Sequence, residues 1–251
     1  MLLLPRHAGG TLPMTAIGPG SSGVWCIRDD VDTVLALARS GFDWVALDAQ
    51  HGRFDRRSLI DNGRALAGAG LAFAVRTAGP DPAGIGLALD AGASAVIVPQ
   101  IDTADQARQV VDAGRYPPQG SRSWGPLAPL WGHEAAPPAA AAPQLGVMIE
   151  SAAALANLGA IAEVPGVDLL FVGPFDLALS LGTTVDALLA DGDGPLAEIA
   201  AASSAAGKAA GIFAGDPERA RILRALGFDR IAVATDSGII AAGARAILGG
   251  P

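Results

Sequence analysis

Five residues of this chain have the types and settings needed for acid, base and cation chemistry: Asp48, His51, Arg76, Glu150 and Asp176. Each stands at, or a few residues beyond, the end of a short apolar run. Glu150 and Asp176 are hard oxygen donors. Brought to one mouth, they would hold a divalent ion, Mg2+ or Mn2+ before Co2+ or Zn2+, and leave positions open for water and substrate. Arg76 offers a planar set of donors suited to a carboxylate or a developing enolate oxygen, unless it serves only to neutralise Asp48. Asp48 and His51, three residues apart, read as a dyad in which the carboxylate fixes the imidazole tautomer and the other ring nitrogen moves a proton near neutral pH.

Other chemistries are disfavoured by what is missing. Lys208 is the single lysine, and it precedes an apolar run, which puts it toward the opposite end from the groups above. Schiff-base and pyridoxal phosphate chemistry both need a lysine at the reactive mouth, so neither fits. The string Gly18-Pro-Gly20-Ser-Ser-Gly23 matches G-x-G-x-x-G but comes before the first predicted strand, so it reads as a loop with no nucleotide to bind. Cys26 is the lone cysteine. It excludes an internal disulfide and a multi-Cys zinc site, and reads as a small buried hydrophobe.

The elements that must position these groups follow one repeated phrase: an amphipathic helix, a Gly turn, then an unbroken apolar run. Ala38 to Asp48, Ala88 to Pro99 and Arg224 to Ala234 all carry it. Such runs suit parallel strands buried on both faces. Strands are predicted at Gly23 to Ile27, Trp44 to Asp48, Ala72 to Arg76, Ala95 to Pro99, Leu145 to Ile149, Leu169 to Val172, Ala209 to Phe213 and Arg230 to Ala234. Helices are predicted at Asp30 to Ser40, Arg56 to Ala69, Pro82 to Ala91, Thr103 to Ala113, Ser151 to Ile161, Leu196 to Ala206, Asp216 to Leu226 and Asp236 to Leu248. Asp30, Thr103, Ser151 and Asp216 stand as N-caps, and Pro82 and Pro217 fall where a first-turn proline is tolerated. About eight alternations in 251 residues favour a closed (β/α)8 TIM barrel, whose working groups lie at the strand C-termini. Residues 1–20 read as a leader and loop. Tyr116 to Pro143, with seven of the 18 prolines plus Trp124, Trp131 and His133, interrupts the rhythm and reads as a lid or contact surface.

The length and a 51% hydrophobic, 17% charged composition describe one globular domain spanning 1–251. A formal charge of -8, with no basic run, argues against nucleic acid and membrane surfaces as partners. Met1 to Pro5 is apolar but too short for a signal core or a membrane span, so the expected address is the cytoplasm.

The stretches Trp44-Val-Ala-Leu-Asp48-Ala-Gln-His51, Val75-Arg76, Tyr116-Pro-Pro-Gln-Gly-Ser-Arg122, Met148-Ile-Glu150-Ser and Phe171-Val-Gly-Pro-Phe-Asp176-Leu together resemble the HpcH/HpaI aldolases. These are class II pyruvate aldolases that act on 2-keto-3-deoxy sugar acids and 2,4-dihydroxyhept-2-ene-1,7-dioate. The resemblance runs from about Gly23 to Leu248. It implies that Glu150 and Asp176 hold the metal, that Arg76 faces the pyruvyl oxygens, and that Asp48 and His51 are the acid/base dyad. It further implies a substrate carboxylate resting on the Gly173-Pro174-Phe175-Asp176 turn, with Trp25 as a pocket wall and Phe213 in the same substrate-facing group. Asp90 resembles a residue that reaches a neighbouring subunit's site, in a hexamer whose last helix is exchanged between copies. Met148, Gln50 and Ser123 depart from residues frequent in the family (Gln, Glu and Gly).

The expected reaction is cleavage of a 4-hydroxy-2-oxo acid to pyruvate, or a close 2-oxo acid, and an aldehyde through a metal-stabilised enolate. The rivals are oxaloacetate decarboxylation, a citrate-lyase-like acyl-CoA lyase, and a non-catalytic 2-oxo-acid-binding barrel. The last of these has no use for the dyad.

Overall fold

The computed structural model describes residues 16–138 and 142–249. The apolar opening Met1 to Pro5, and the leader up to residue 15, lie outside the described residues. Eight strands, β1 (Ser21–Cys26), β2 (Trp44–Asp48), β3 (Phe73–Arg76), β4 (Ala95–Val98), β5 (Gln144–Ile149), β6 (Leu169–Val172), β7 (Ala209–Phe213) and β8 (Arg230–Thr235), pair in parallel and in sequence order into a closed barrel. The seam is β1 against β8, with a register shift between Gly23 and Val24. The helices are α1 (Val31–Ala38), α2 (Arg56–Gly68), α3 (Pro82–Asp90), α4 (Ala104–Gly114), α5 (Ala152–Ala156), α6 (Leu158–Ala162), α7 (Pro174–Ser180), α8 (Val185–Ala190), α9 (Pro195–Ala205), α10 (Pro217–Ala225) and α11 (Asp236–Leu248).

The expected caps are in place. Asp30, Thr103, Ser151 and Asp216 each accept a bond from a first-turn amide, which satisfies one of the orphan donors of the helix start. Three expectations are corrected. The helix expected over Ser151 to Ile161 breaks at Asn157, whose side chain donates to the Asp102 carbonyl instead of continuing the turn pattern. Two short helices, α7 and α8, fill the span from Pro174 to Ala190. The Gly18–Gly23 string is only half loop, because β1 starts at Ser21.

The two faces of the sheet belong to two cores. Val45, Leu47, Val75, Val96, Val98, Val147 and Val172 face the helices, whereas Trp25, Trp44, Ala46, Ala74, Ile97, Met148, Phe171 and Ala232 fill the barrel interior. Side chains alternate with period two along a strand. The inward set Trp44, Ala46 therefore continues to Asp48, the set led by Ala74 to Arg76, and the set led by Met148 to Glu150. That alternation is what brings separate chemistry to one rim.

The Pro-rich stretch joins α4 to β5, so it lies at the strand N-termini, the end away from that rim. Leu127 donates to the Asp90 carbonyl at the foot of α3, and Arg122 pairs with the Asp90 side chain at 2.8 Å. A lid over the chain's own mouth is excluded by this placement; the contact-surface alternative is compatible with it. Trp124 and Leu130 are exposed there.

Bulky interior side chains are accommodated by glycines opposite them. A Cβ at Gly23 would fall 2.3 Å from the Trp44 ring. Gly23→Ala should therefore cost about 1–3 kcal/mol of overpacking. The expected outcome is a melting midpoint lower by about 2–4 °C per kcal/mol; an unchanged midpoint in a thermal scan would contradict the packing described.

Candidate active site

The strand C-termini enclose a cavity of about 230 Å³ lined by Trp25, Ile27, Asp48, His51, Arg76, Met148, Phe171, Gly173, Pro174, Phe175, Asp176, Phe213 and Thr235. Every expected site residue except Glu150 and Asp90 lines it directly. Glu150 sits just beneath: a Cβ added to Gly173 would come within 2.5 Å of Glu150 Oε2 and 3.0 Å of the Met148 methyl. Gly173 is thus the only residue type that lets the β6 rim close over this carboxylate. Asp90 lies elsewhere, at the end of α3 in its pair with Arg122, whose guanidinium stacks 4.5 Å from the Tyr116 ring.

Asp48 and Arg76 form a buried two-point pair. Arg76 Nε donates to Oδ1 at 2.9 Å, and a terminal nitrogen donates to Oδ2 at 2.6 Å. Trp25 Nε1 donates to the same Oδ2 at 3.1 Å, and the Arg76 guanidinium lies 5.1 Å from the Trp25 ring. Burial by itself would push the Asp48 carboxyl up; the bonds and charge of Arg76, with those from Trp25 and the His51 amide, outweigh it and hold the group below its ordinary value. The bond from Asp48 to His51 runs through the His51 backbone amide, at 3.2 Å. This corrects the expected dyad geometry. Asp48 fixes the loop that carries His51, and its carboxylate is committed to Arg76 in place of the imidazole. The His51 side chain is exposed at the rim.

Glu150 is the opposite case. It is only 7% exposed. Its Oε1 accepts the Gln100 backbone N–H at 2.7 Å, while its Oε2 is buried with no hydrogen-bond partner. Burial raises its carboxyl above the ordinary value; the Gln100 bond opposes this, the Asp176 charge adds to it, and the Arg76 and His51 charges oppose it more weakly. Asp176, in the first turn of α7, is exposed. A buried carboxylate oxygen without a donor, raised further by the charge of a second carboxylate, has the chemistry of a cation ligand. Among the described residues no group of three or more His, Cys, Asp or Glu is placed to hold a metal ion, so the acidic pair stands without a third such side chain.

One wall of the cavity is aromatic, built from β1, β6, the turn after β6, and β7. Trp25 lies 5.6 Å from Phe171 and 5.7 Å from Phe213, and Phe213 lies 6.1 Å from Phe175 at the rim. Cys26 faces the outer core with its thiol pushed up to about 12 by burial and the Asp236 charge, so it is inert. Lys208 reaches the Val164 carbonyl, away from the mouth.

Two residues that the sequence did not single out also shape the site. Asp236, fully buried, accepts the backbone amides of Ile27 and Arg28 at 3.0 and 2.8 Å. The Ile27 carbonyl in turn accepts the Arg53 amide, which ties the β1 rim to the His51 loop. Gln100, just after β4, adopts a left-handed backbone at φ 62. A run ending in Pro99-Gln100 carries no local signal of either contact.

Fold and site together define a barrel enzyme with an acidic pair, a fixed arginine and a rim histidine at the strand C-termini. The family model for HpcH/HpaI aldolase/citrate lyase matches residues 21–242, and the chain belongs to that family. It is 40% identical over 209 residues to a hydroxypyruvate/pyruvate aldolase of Chromohalobacter salexigens, covering 81% of this chain and 82% of that one. It is 37% identical over 225 residues to a 2-keto-3-deoxy-L-rhamnonate aldolase of Klebsiella pneumoniae, covering 88% and 84%. A crystal structure of an HpcH/HpaI aldolase/citrate lyase family protein from Burkholderia cenocepacia superposes with a TM-score of 0.82 at 35% identity, over 93% of this chain and 94% of that one. The protein is an enzyme of the aldolase type.

Breaking a buried ion pair by removing one partner costs about 3–5 kcal/mol, so Asp48→Asn should lose about that much at neutral pH. Because the folded carboxyl is depressed, the pair's contribution is present above the ordinary carboxylate range and fades as pH falls through the depressed folded value. Urea melts of both proteins should thus differ most at pH 7 and converge in strong acid; a difference that grows on acidification would reverse the sign argued here.

Proposed function

We propose that the chain is a divalent-metal-dependent aldolase that reversibly cleaves a 4-hydroxy-2-oxo acid to pyruvate, or a close 2-oxo acid, and an aldehyde. The observation that carries this reading is the unpartnered, buried Glu150 Oε2 beside Asp176. An all-oxygen pair suits Mg2+ or Mn2+. When bound, such an ion supplies Lewis-acid polarisation of the substrate's ketone oxygen.

The chain's own groups account for the rest. The open amides of Phe175 and Asp176, in the first turn of α7, receive the substrate carboxylate. Arg76 is held by Asp48 through Nε and one terminal nitrogen, which leaves its other terminal nitrogen to meet negative charge developing on the pyruvyl oxygens. His51, exposed at the rim, takes the C4 hydroxyl proton. The C3–C4 bond then breaks, the aldehyde departs, its electron pair stays on the three-carbon enolate, and a proton returns to C3 to give pyruvate. Trp25, Phe171 and Phe213 keep one wall dry, which strengthens the charge interactions opposite.

The same reading includes a cytoplasmic homo-oligomer, a hexamer by resemblance, with α11 exchanged between copies and Asp90 directed to a neighbour's site. It is supported by the exposure of Ile247 (86%) and Leu248 (83%) on the outer turns of α11, where isolated solvation of apolar side chains is unfavourable. No helix among the described residues is long and apolar enough to cross a membrane.

Pyruvate release from a panel of 4-hydroxy-2-oxo acids should vanish in EDTA and return with Mg2+ or Mn2+. Glu150→Gln should lower turnover about 100-fold or more while raising the melting midpoint of the metal-free protein, because the buried charge is gone. Equal turnover in chelator would overturn the metal reading.

A further inference from the structure

Gln100 is the sole non-glycine residue at positive φ among the described residues, at φ 62. A left-handed backbone costs an ordinary L-residue about 1 kcal/mol or more. Such strain persists only where the surroundings impose it, and it clusters at working sites. Here its result is visible: the Gln100 N–H points across from the end of β4 to Glu150 Oε1 at 2.7 Å. The Gln100 side chain is itself exposed, so burial of that side chain does not impose the conformation. A second tether lies alongside, where the Ser151 hydroxyl donates to the Asp102 carboxylate. The loop after β4 is thereby fastened to Glu150 and its neighbour at two points.

We infer that Gln100 is a positioning residue for the metal-binding carboxylate, acting through its backbone. By occupying Oε1, the Gln100 amide sets the rotation of the Glu150 carboxylate and leaves Oε2 facing the space beside Asp176. This inference rests on the metal reading proposed above and deepens it. Without the amide, the buried carboxylate would have both oxygens unpaired, and turning to find a donor, or taking up a proton, would withdraw the ligand. The property required at position 100 is tolerance of the left-handed region together with a backbone N–H. Glycine and asparagine have both, valine resists the conformation through its branched Cβ, and proline has neither.

The test is Mn2+ titration of metal-free protein by calorimetry, with thermal melting and kcat and KM measured in parallel, for wild type, Gln100→Gly, Gln100→Asn, Gln100→Val and Gln100→Pro. Gln100→Gly and Gln100→Asn should bind Mn2+ within about 2-fold of wild type, with Gln100→Gly melting at or above the wild-type midpoint once the strain is relieved. Gln100→Val should bind at least 10-fold more weakly, and saturating Mn2+ should restore much of its kcat, a pattern that a general loss of stability does not produce. Gln100→Pro should be weaker still; if it fails to fold, Gln100→Val decides the matter. Wild-type Mn2+ affinity in folded Gln100→Val would overturn the role of Gln100 alone, whereas absence of Mn2+ binding by the wild type would remove the metal reading and this inference with it.

Discussion

An ionised carboxylate inside a closed barrel mouth is costly unless each oxygen finds a donor or a cation. Glu150 meets that condition by half. One oxygen has the Gln100 amide, the other has no hydrogen-bond partner, and the Asp176 charge makes the shortfall worse. The rest of the mouth leaves that oxygen unmatched. Gly173 is kept bare so that the carboxylate fits beneath the β6 rim, Asp176 is delivered by the first turn of α7, and the neighbouring cation, Arg76, is already neutralised by Asp48. Were Arg76 free to swing toward Glu150, the acidic pair could satisfy itself without metal. The Asp48 clamp holds Arg76 at two points, so Asp48 orients the arginine and keeps it from neutralising Glu150.

The fold supplies this arrangement through period-two alternation on strands whose two faces are both buried. Outward positions knit sheet to helices, and inward positions fill the interior with side chains such as Trp44, Met148 and Phe171. The last inward position of each strand reaches the rim, where polar groups can be held by their neighbours instead of by water. The same geometry places Met148 one inward step below Glu150, so an apolar methyl borders the carboxylate. The charged groups at the cavity come from the ends of β2, β3 and β5 and from the turn after β6, and the aromatic wall comes from β1, β6, β7 and that same turn.

Strand positions were legible because an unbroken apolar run between a Gly turn and a polar residue has few other solutions. Trp44–Asp48, Leu169–Val172 and Ala209–Phe213 fall where the pattern puts them. The rim residues were legible for the same reason, since a polar group ending a doubly buried strand needs a use. What local pattern left open was pairing, because both the His51 ring and Arg76 stood as partners for Asp48. Proximity in sequence suggested Asp48 to the His51 ring, but the side chain one strand over, Arg76, is nearer in register, with Asp48 directly opposite it. The role of Tyr116 to Pro143 as a lid failed on topology, because a helix-to-strand connection emerges at the wrong end whatever its composition. Gln100 was invisible because its contribution is a backbone amide in an uncommon conformation, and no side-chain type announces that.

The account turns on whether a cation occupies the space between Glu150 Oε2 and the Asp176 carboxylate. An anomalous-difference map from crystals grown with Mn2+ answers this directly. The account predicts one strong peak shared by those two carboxylates at the mouth of the barrel. A map with no peak there, or with Mn2+ only on the exposed acidic surface around Asp29, Asp30, Asp55 and Asp61, would contradict it.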